Sequence, residues 1–172
     1  MDFFETIKTR YSYRGKFKNA DIPKQHMDMI FEAACHSQSG LNQQTSEIIA
    51  VTDIETSKKL SAIYDNHEGM LTAPLNVVMI SSKKEAHGLT FEMQDYSIMT
   101  DNICLAATAL GYATVWTDGY TSQANRAEKV QELLNLPDGW TVRAVLPVGI
   151  AEEPGTQKEK KGIDEMVHYN KF

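Results

Sequence analysis

Apolar residues recur along the chain at two different spacings, and each change of spacing marks an element. Met27, Ile30, Phe31 and Ala34 fall on one helical face. Asp21-Ile22-Pro23 just before them reads as a helix start, with proline pre-set for the first turn. Asp2 and Glu5 form a capping-box pair beside Phe3, Phe4 and Ile7, which predicts a short first helix ending near Thr9. IIAVT (48–52) and LNVVMIS (75–81) are rich in β-branched residues and predict strands, the second one buried. Between them Asp53 can cap a helix carrying Leu60 and Ile63, closed by the polar stretch YDNHEG at 64–69. The longest helix is predicted from about Phe91 to Leu110, with Met99, Ile103, Ala106 and Leu110 in helical register and Gly111 as its left-handed stop. Its alanine, leucine and isoleucine residues lie almost all round, which predicts a central, largely buried helix. ATVWT (113–117) predicts another strand, and 125–136 a helix ended by Pro137. VRAVLPVGIA (142–151) predicts the last strand, with Pro147 near an edge or bulge. SQSGLNQQTS (37–46) has no period and reads as a loop, and 152–172 is a polar tail without a core of its own.

Strands separated by helices predict an α+β or α/β domain. With 172 residues, 42% of them hydrophobic, the chain can build one well-buried core and is too short for two ordinary domains. No apolar run is long enough for a bilayer, and Asp2 and Glu5 stand where a secretory leader would carry cations, so the expectation is a cytoplasmic protein without a membrane partner. Cys35 and Cys104 stand far apart with no C-x-x-C, which predicts two reduced thiols. The formal net charge of -6 argues against a nucleic-acid partner. Against that acidic background KTRYSYRGKFK (8–18) holds five cations. Such a local cluster suits a small anion better than a polynucleotide.

Dedicated catalytic motifs are missing. Neither glycine-rich nucleotide fingerprint occurs, nor G-x-S-x-G, and the five histidines lack metal-ligand spacing, so no metal site is predicted. If the chain is an enzyme, a cofactor carries the chemistry.

Four segments, in order and spacing, resemble the nitroreductase family of FMN-dependent oxidoreductases. TRYSYRGKF (9–17) is similar to the family's R-R-S-x-R-x-F box, and SQSGLNQQ (37–44) to its A-P-S-G-x-N-x-Q-P-W loop. The stretch from Asp95 through LAATALGYATVWTDG (105–119) resembles the long central helix and the strand beyond it. LPVGIAEEP with KEKKGIDEMVHY (158–169) resembles the family's carboxyl-terminal end. Two departures stand out: Gln38 replaces the loop's proline, and Thr45-Ser46 replaces its P-W pair.

The resemblance implies an α+β fold, with a central mixed, mostly antiparallel sheet flanked by helices, a long buried central helix, and an intertwined homodimer. Residues 1–172 would form one FMN-binding domain, with 152–172 an extension packing on the partner subunit. Carried over residue by residue, Arg10, Ser12 and Arg14 would hold the FMN phosphate and ribityl chain, with Tyr11 where a second arginine often stands. Lys160 would take the family's carboxyl-terminal phosphate position, with Lys161 as its neighbouring alternative. Gln38, Ser39, Gly40 and Asn42 would reach the cofactor from the other subunit. Trp116, Thr117, Asp118 and Gly119 would lie along the ring, the Asp118 and Gly119 N–H groups near its N5, and Asn66 would touch the pyrimidine edge. The implied activity is ping-pong reduction of nitroaromatics, quinones or similar flat acceptors with NADH or NADPH, the flavin rather than any side chain carrying the hydride. The alternative reading is a flavin store or sensor without efficient turnover.

Overall fold

The computed structural model describes residues 1–172. In chain order its helices and strands are α1 (Phe3–Thr9), α2 (Lys24–Cys35), β1 (Ser46–Val51), α3 (Ile54–Ile63), α4 (Glu68–Thr72), β2 (Leu75–Ser82), β3 (Glu85–Ala86), β4 (Leu89–Thr90), α5 (Glu92–Ala109), β5 (Ala113–Thr114), α6 (Asp118–Thr121), α7 (Arg126–Leu134), β6 (Trp140–Gly149) and α8 (Ile163–Met166). The fold is α+β. Four strands form the main sheet in the order β1-β2-β6-β5, every neighbour antiparallel. One parallel bridge, Ser12 to Thr114, adds the basic amino-terminal segment to its β5 edge.

The period-two pattern of the inner strands explains the layering. Leu75, Val77 and Met79 of β2 join Ala144, Leu146 and Val148 of β6 in a core under α2 and α5. Val78 and Ile80 point the other way, into a second core with Leu60, Tyr64, Met70 and Val130 from α3, its following loop, α4 and α7. Both inner strands are thus covered on both faces, as the apolar run at 75–81 predicts. Opposite the step from Met79 to Ile80 the register skips Arg143, so Val142 joins Val145 on the second face rather than alternating with it. Arg143 donates from Nε to Ser81 Oγ at 2.7 Å across that bulge.

Capping follows the sequence. Asp2 accepts from Glu5 N–H at 3.0 Å and Asp53 from Thr56 N–H at 2.8 Å. Gly111 stops α5 at φ 86°, and Asn135 stops α7 at φ 53°, two residues before Pro137. On α5, Tyr96, Thr100, Ile103, Cys104 and Ala107 are buried. Cys104 is a free thiol pushed up to about 12 by burial, and Cys35 is also free but exposed at the end of α2.

Three sequence expectations change. The strand expected over 113–117 keeps ladder pairing only at Ala113–Thr114, because the Thr117 hydroxyl donates to Val145 O at 2.7 Å and accepts from Val145 N–H at 3.1 Å. A side chain there serves the peptide group a further rung would have served. Pro147 lies inside an interior strand, away from the bulge. Peptide groups two residues apart face the same neighbour, so Pro147 faces the Thr117 side, where β5 has already ended, and no ladder donor is lost. The polar stretch after α3 leads into α4, and a β3–β4 hairpin turns at His87 (φ 54°) and Gly88 (φ 74°). No helix is long and apolar enough to cross a membrane.

Candidate functional site

The basic segment is extended and alternates. Tyr13 and Phe17 turn inward and are buried, while Ser12, Arg14 and Lys16 face out. Tyr13 N–H donates to Thr114 O at 2.9 Å, and Lys18 N–H to Ile150 O at 2.8 Å, which fixes the segment along the sheet edge. The Tyr13 hydroxyl donates to Lys16 O and accepts from the Glu152 and Glu153 N–H groups at 3.2 and 3.3 Å. That hydroxyl brings the tail back over the segment. Gly155 then passes so close to Tyr11 that an added Cβ would lie 2.2 Å from its ring, and Gln157 donates to Ile7 O and Arg10 O at 3.1 and 2.9 Å.

Between segment and tail lies a cavity of about 240 Å³, walled by Arg10, Tyr11, Ser12, Arg14, Thr156, Gln157, Lys158 and Lys160. None of its four cations is paired with a carboxylate, and the protein's ion pairs lie elsewhere. Four unneutralised cations around one hollow repel each other unless an anion joins them. Arg14 also walls a second cavity of about 390 Å³, with His67, Val115, Trp116, Thr117, Gly119 and Tyr120, so the two hollows share a wall.

The second cavity is less charged and presents donors. Trp116 stands edge-on to Tyr96 at 6.0 Å, and its indole N–H is buried without an acceptor. The Asp118 and Gly119 N–H groups open α6 and donate to nothing within the chain, whereas Tyr120 and Thr121 N–H both return to Thr117 O. A Cβ on Gly119 would meet nothing within 4 Å. His67 Nδ1 accepts from Met70 N–H at 3.3 Å. Burial first, and the Arg14 charge beside it, lower the His67 pKa from 6.5, so the ring favours its neutral form.

Arg10, Tyr11, Ser12, Arg14 and Lys160 therefore come together, and Trp116, Thr117 and Gly119 join them through Arg14. Asp118 opens the turn beside Gly119, and Asn66 precedes His67 in a left-handed loop. Lys161 does not wall the cationic hollow, but Lys158 does. Gln38, Ser39, Gly40 and Asn42 wall neither hollow; Gln38 and Ser39 line a separate small cavity with Asp95. Their loop is held from α5. Buried Asp95 accepts from Gly40 N–H at 2.8 Å and from the Thr45 hydroxyl at 2.7 Å, and a Cβ on Gly40 would lie 2.2 Å from the Phe91 ring. Thr45, one of the departures from the family pattern, thus serves as an anchor. His67, Tyr120 and Lys158 escaped the sequence reading. The available signal was adjacency, to Asn66, to Gly119 and to Lys160.

Cationic hollow, shared arginine and donor-lined slot have the form of a site for a planar group carrying an anionic tail. Comparison with known proteins supplies the family. Residues 64–150 match the Nitroreductase family model. A Methanothermobacter thermautotrophicus protein provisionally named NADH dehydrogenase/NAD(P)H nitroreductase is 33% identical over 160 residues, covering 91% of this chain and 82% of its own. A Staphylococcus saprophyticus NADPH-dependent oxidoreductase is 25% identical, covering 98% and 73%. The solved structure of an FMN-dependent nitroreductase from Clostridium difficile superposes with a TM-score of 0.84 at 26% identity, over 98% of this chain and 99% of that one. The chain belongs to the nitroreductase family of oxidoreductases.

Proposed function

We propose that the protein binds FMN, with NADH or NADPH as hydride donor, and reduces flat acceptors such as nitroaromatics or quinones in a ping-pong cycle. The observation that carries this reading is the set of unpaired cations, Arg10, Arg14, Lys158 and Lys160, around one hollow of an acidic protein. Guanidinium forks and ammonium groups match a phosphate in charge and hydrogen bonding. Ser12 adds a hydroxyl at the same wall. The free Trp116, Asp118 and Gly119 N–H groups fit the heteroatom edge of an isoalloxazine ring, and bare Gly119 leaves room for close approach. Asn66 and His67 approach from the facing loop, where a neutral imidazole adds no further positive charge to the slot. FMN, once bound, supplies hydride acceptance and delivery at N5. The residues bind, orient and shield, and no proton-relay triad is required of them.

The working unit is a homodimer. Phe3, Phe4 and Ile7 of α1, Leu41 of the 37–46 loop and Met93 of α5 are exposed in the single chain, as are Ile163, Met166, Tyr169 and Phe172 of the tail. In this reading the partner covers those residues, Gln38, Ser39, Gly40 and Asn42 reach the partner's cofactor, and the 152–172 extension, after running over its own chain's basic segment as far as Lys160, packs on the partner. The chain is one domain with that extension. Stopped-flow mixing of the yellow protein with NADH and NADPH tests the activity: rapid bleaching, then recolouring on addition of a quinone, is expected. A flavin that stays oxidised contradicts it. Sedimentation tests the assembly, and a dilute monomer still loaded with flavin would exclude the shared site.

A further inference from the structure

Arg126 is the only cation withdrawn from water, with 6% of its surface exposed. It opens α7, yet its guanidinium serves another part of the chain. One terminal nitrogen meets Asp65 Oδ2 at 2.5 Å, and the other donates to Tyr120 O and Gln123 O at 3.3 Å each. Its carbon sits 3.9 Å from the centre of the Tyr120 ring. The Tyr120 hydroxyl donates to the same Asp65 oxygen, closing a triangle. Two corners of this triangle belong to the two chain segments, 65–67 and 119–120, that contribute to the wall of the ring cavity. Asp65 and Asn66 hold left-handed φ values of 56° and 61° immediately before His67, which walls the cavity. Tyr120 and Gly119 wall it too. Left-handed backbone at Asp65 persists only where surrounding contacts over-determine it.

We propose that Arg126, with Asp65 and Tyr120, is a positioning clamp that fixes the separation of these two segments and thereby aligns the Asn66–His67 loop and the Asp118–Gly119 amides on the flavin. This rests on the flavin reading above. The clamp meets the ring cavity only at Tyr120, since Arg126 and Asp65 line neither hollow. It acts through the turn that carries the free amides and the loop that faces them.

The test compares wild type with R126M, Y120F and V130A. Val130 is fully buried on the same helix and lines neither hollow, so V130A lowers Tm without removing any group of the clamp or of the cavity wall. FMN affinity is measured by fluorescence titration, and ring environment by visible circular dichroism and the flavin midpoint potential. R126M is expected to weaken FMN about tenfold or more and alter the visible dichroism, and Y120F to do the same about two- to fivefold. V130A is expected to leave both unchanged at a comparable loss of Tm. Wild-type affinity and dichroism in R126M, or equal changes in V130A, overturn the clamp alone. Should R126M fail to fold, Y120F decides, because it removes a single hydroxyl; an unchanged Y120F overturns the proposal. A wild-type chain that takes up no FMN overturns the flavin reading, and the clamp with it.

Discussion

Two arginine settings lie around one cleft, and they are opposites. Arg126 is buried and paired, its two terminal nitrogens shared among a carboxylate and two carbonyls over a tyrosine face, with only Nε left without an acceptor. Arg10 and Arg14 are open and have no carboxylate, the Arg14 guanidinium reaching only Ser12 O at 3.4 Å. A charge that holds a fold together must be satisfied inside it, since an unpaired buried ion is strongly unfavourable. A charge that serves a ligand has to stay available, at the expense of repulsion among its neighbours. The difference separates architecture from binding surface without reference to any relative.

Replacing both open arginines should break the comparison most visibly. Arg10→Ala with Arg14→Ala should lose on the order of 2–5 kcal/mol of FMN binding while the Tm of the cofactor-free protein holds or rises. Calorimetry and a thermal scan check both halves, and unchanged affinity would assign the cluster to another role. Arg126→Met should show the reverse weighting in the cofactor-free protein. It leaves two carbonyls unserved, and denaturant unfolding should report a loss of about 1–3 kcal/mol.

A finer contrast concerns the tail. Lys160 walls the cationic hollow and Lys161 does not, so Lys160→Ala should weaken FMN and flatten its salt dependence more than Lys161→Ala does. Equal effects would place the partner subunit's surroundings above the single chain's geometry.

The smallest expected effect is on pH. The folded pKa of His67 lies below 6.5, so the unfolded chain takes up the proton more readily. Its contribution to stability is present above about 6.5 and is lost as pH falls through the folded value. Arg14 and Glu68 are the charges acting on it. His67→Asn should flatten that part of the stability profile between neutral and mildly acidic pH; an identical slope would remove His67 from the account.

Where local chemistry decides structure, the sequence was legible. The run at 75–81, the Asp53 cap and the Gly111 stop all took the conformation their residue types favour. What escaped it was non-local. The bulge at Arg143 depends on a partner strand, and the tolerance of Pro147 on where β5 stops. Lys158 walls the hollow and Lys161 does not because Tyr13 and Gln157 fix the tail over the basic segment. Asp65 and Arg126 are separated by 61 positions, and no periodicity joins them. Short elements such as α4 and the β3–β4 hairpin carry too few residues to set up a period. Thr45 stands where the family loop has proline, and its bond to Asp95 spans 50 positions.

If the open cations exist for a phosphate, they should tell FMN from riboflavin, which differs from it by that group alone. Titrating both into cofactor-free protein by calorimetry, with the Arg10→Ala, Arg14→Ala chain alongside, isolates the phosphate's share. FMN should bind at least about a hundredfold tighter than riboflavin in the wild type, with the gap largely closed in the double variant. Equal affinity for the two ligands in the wild type would contradict a phosphate role for those cations.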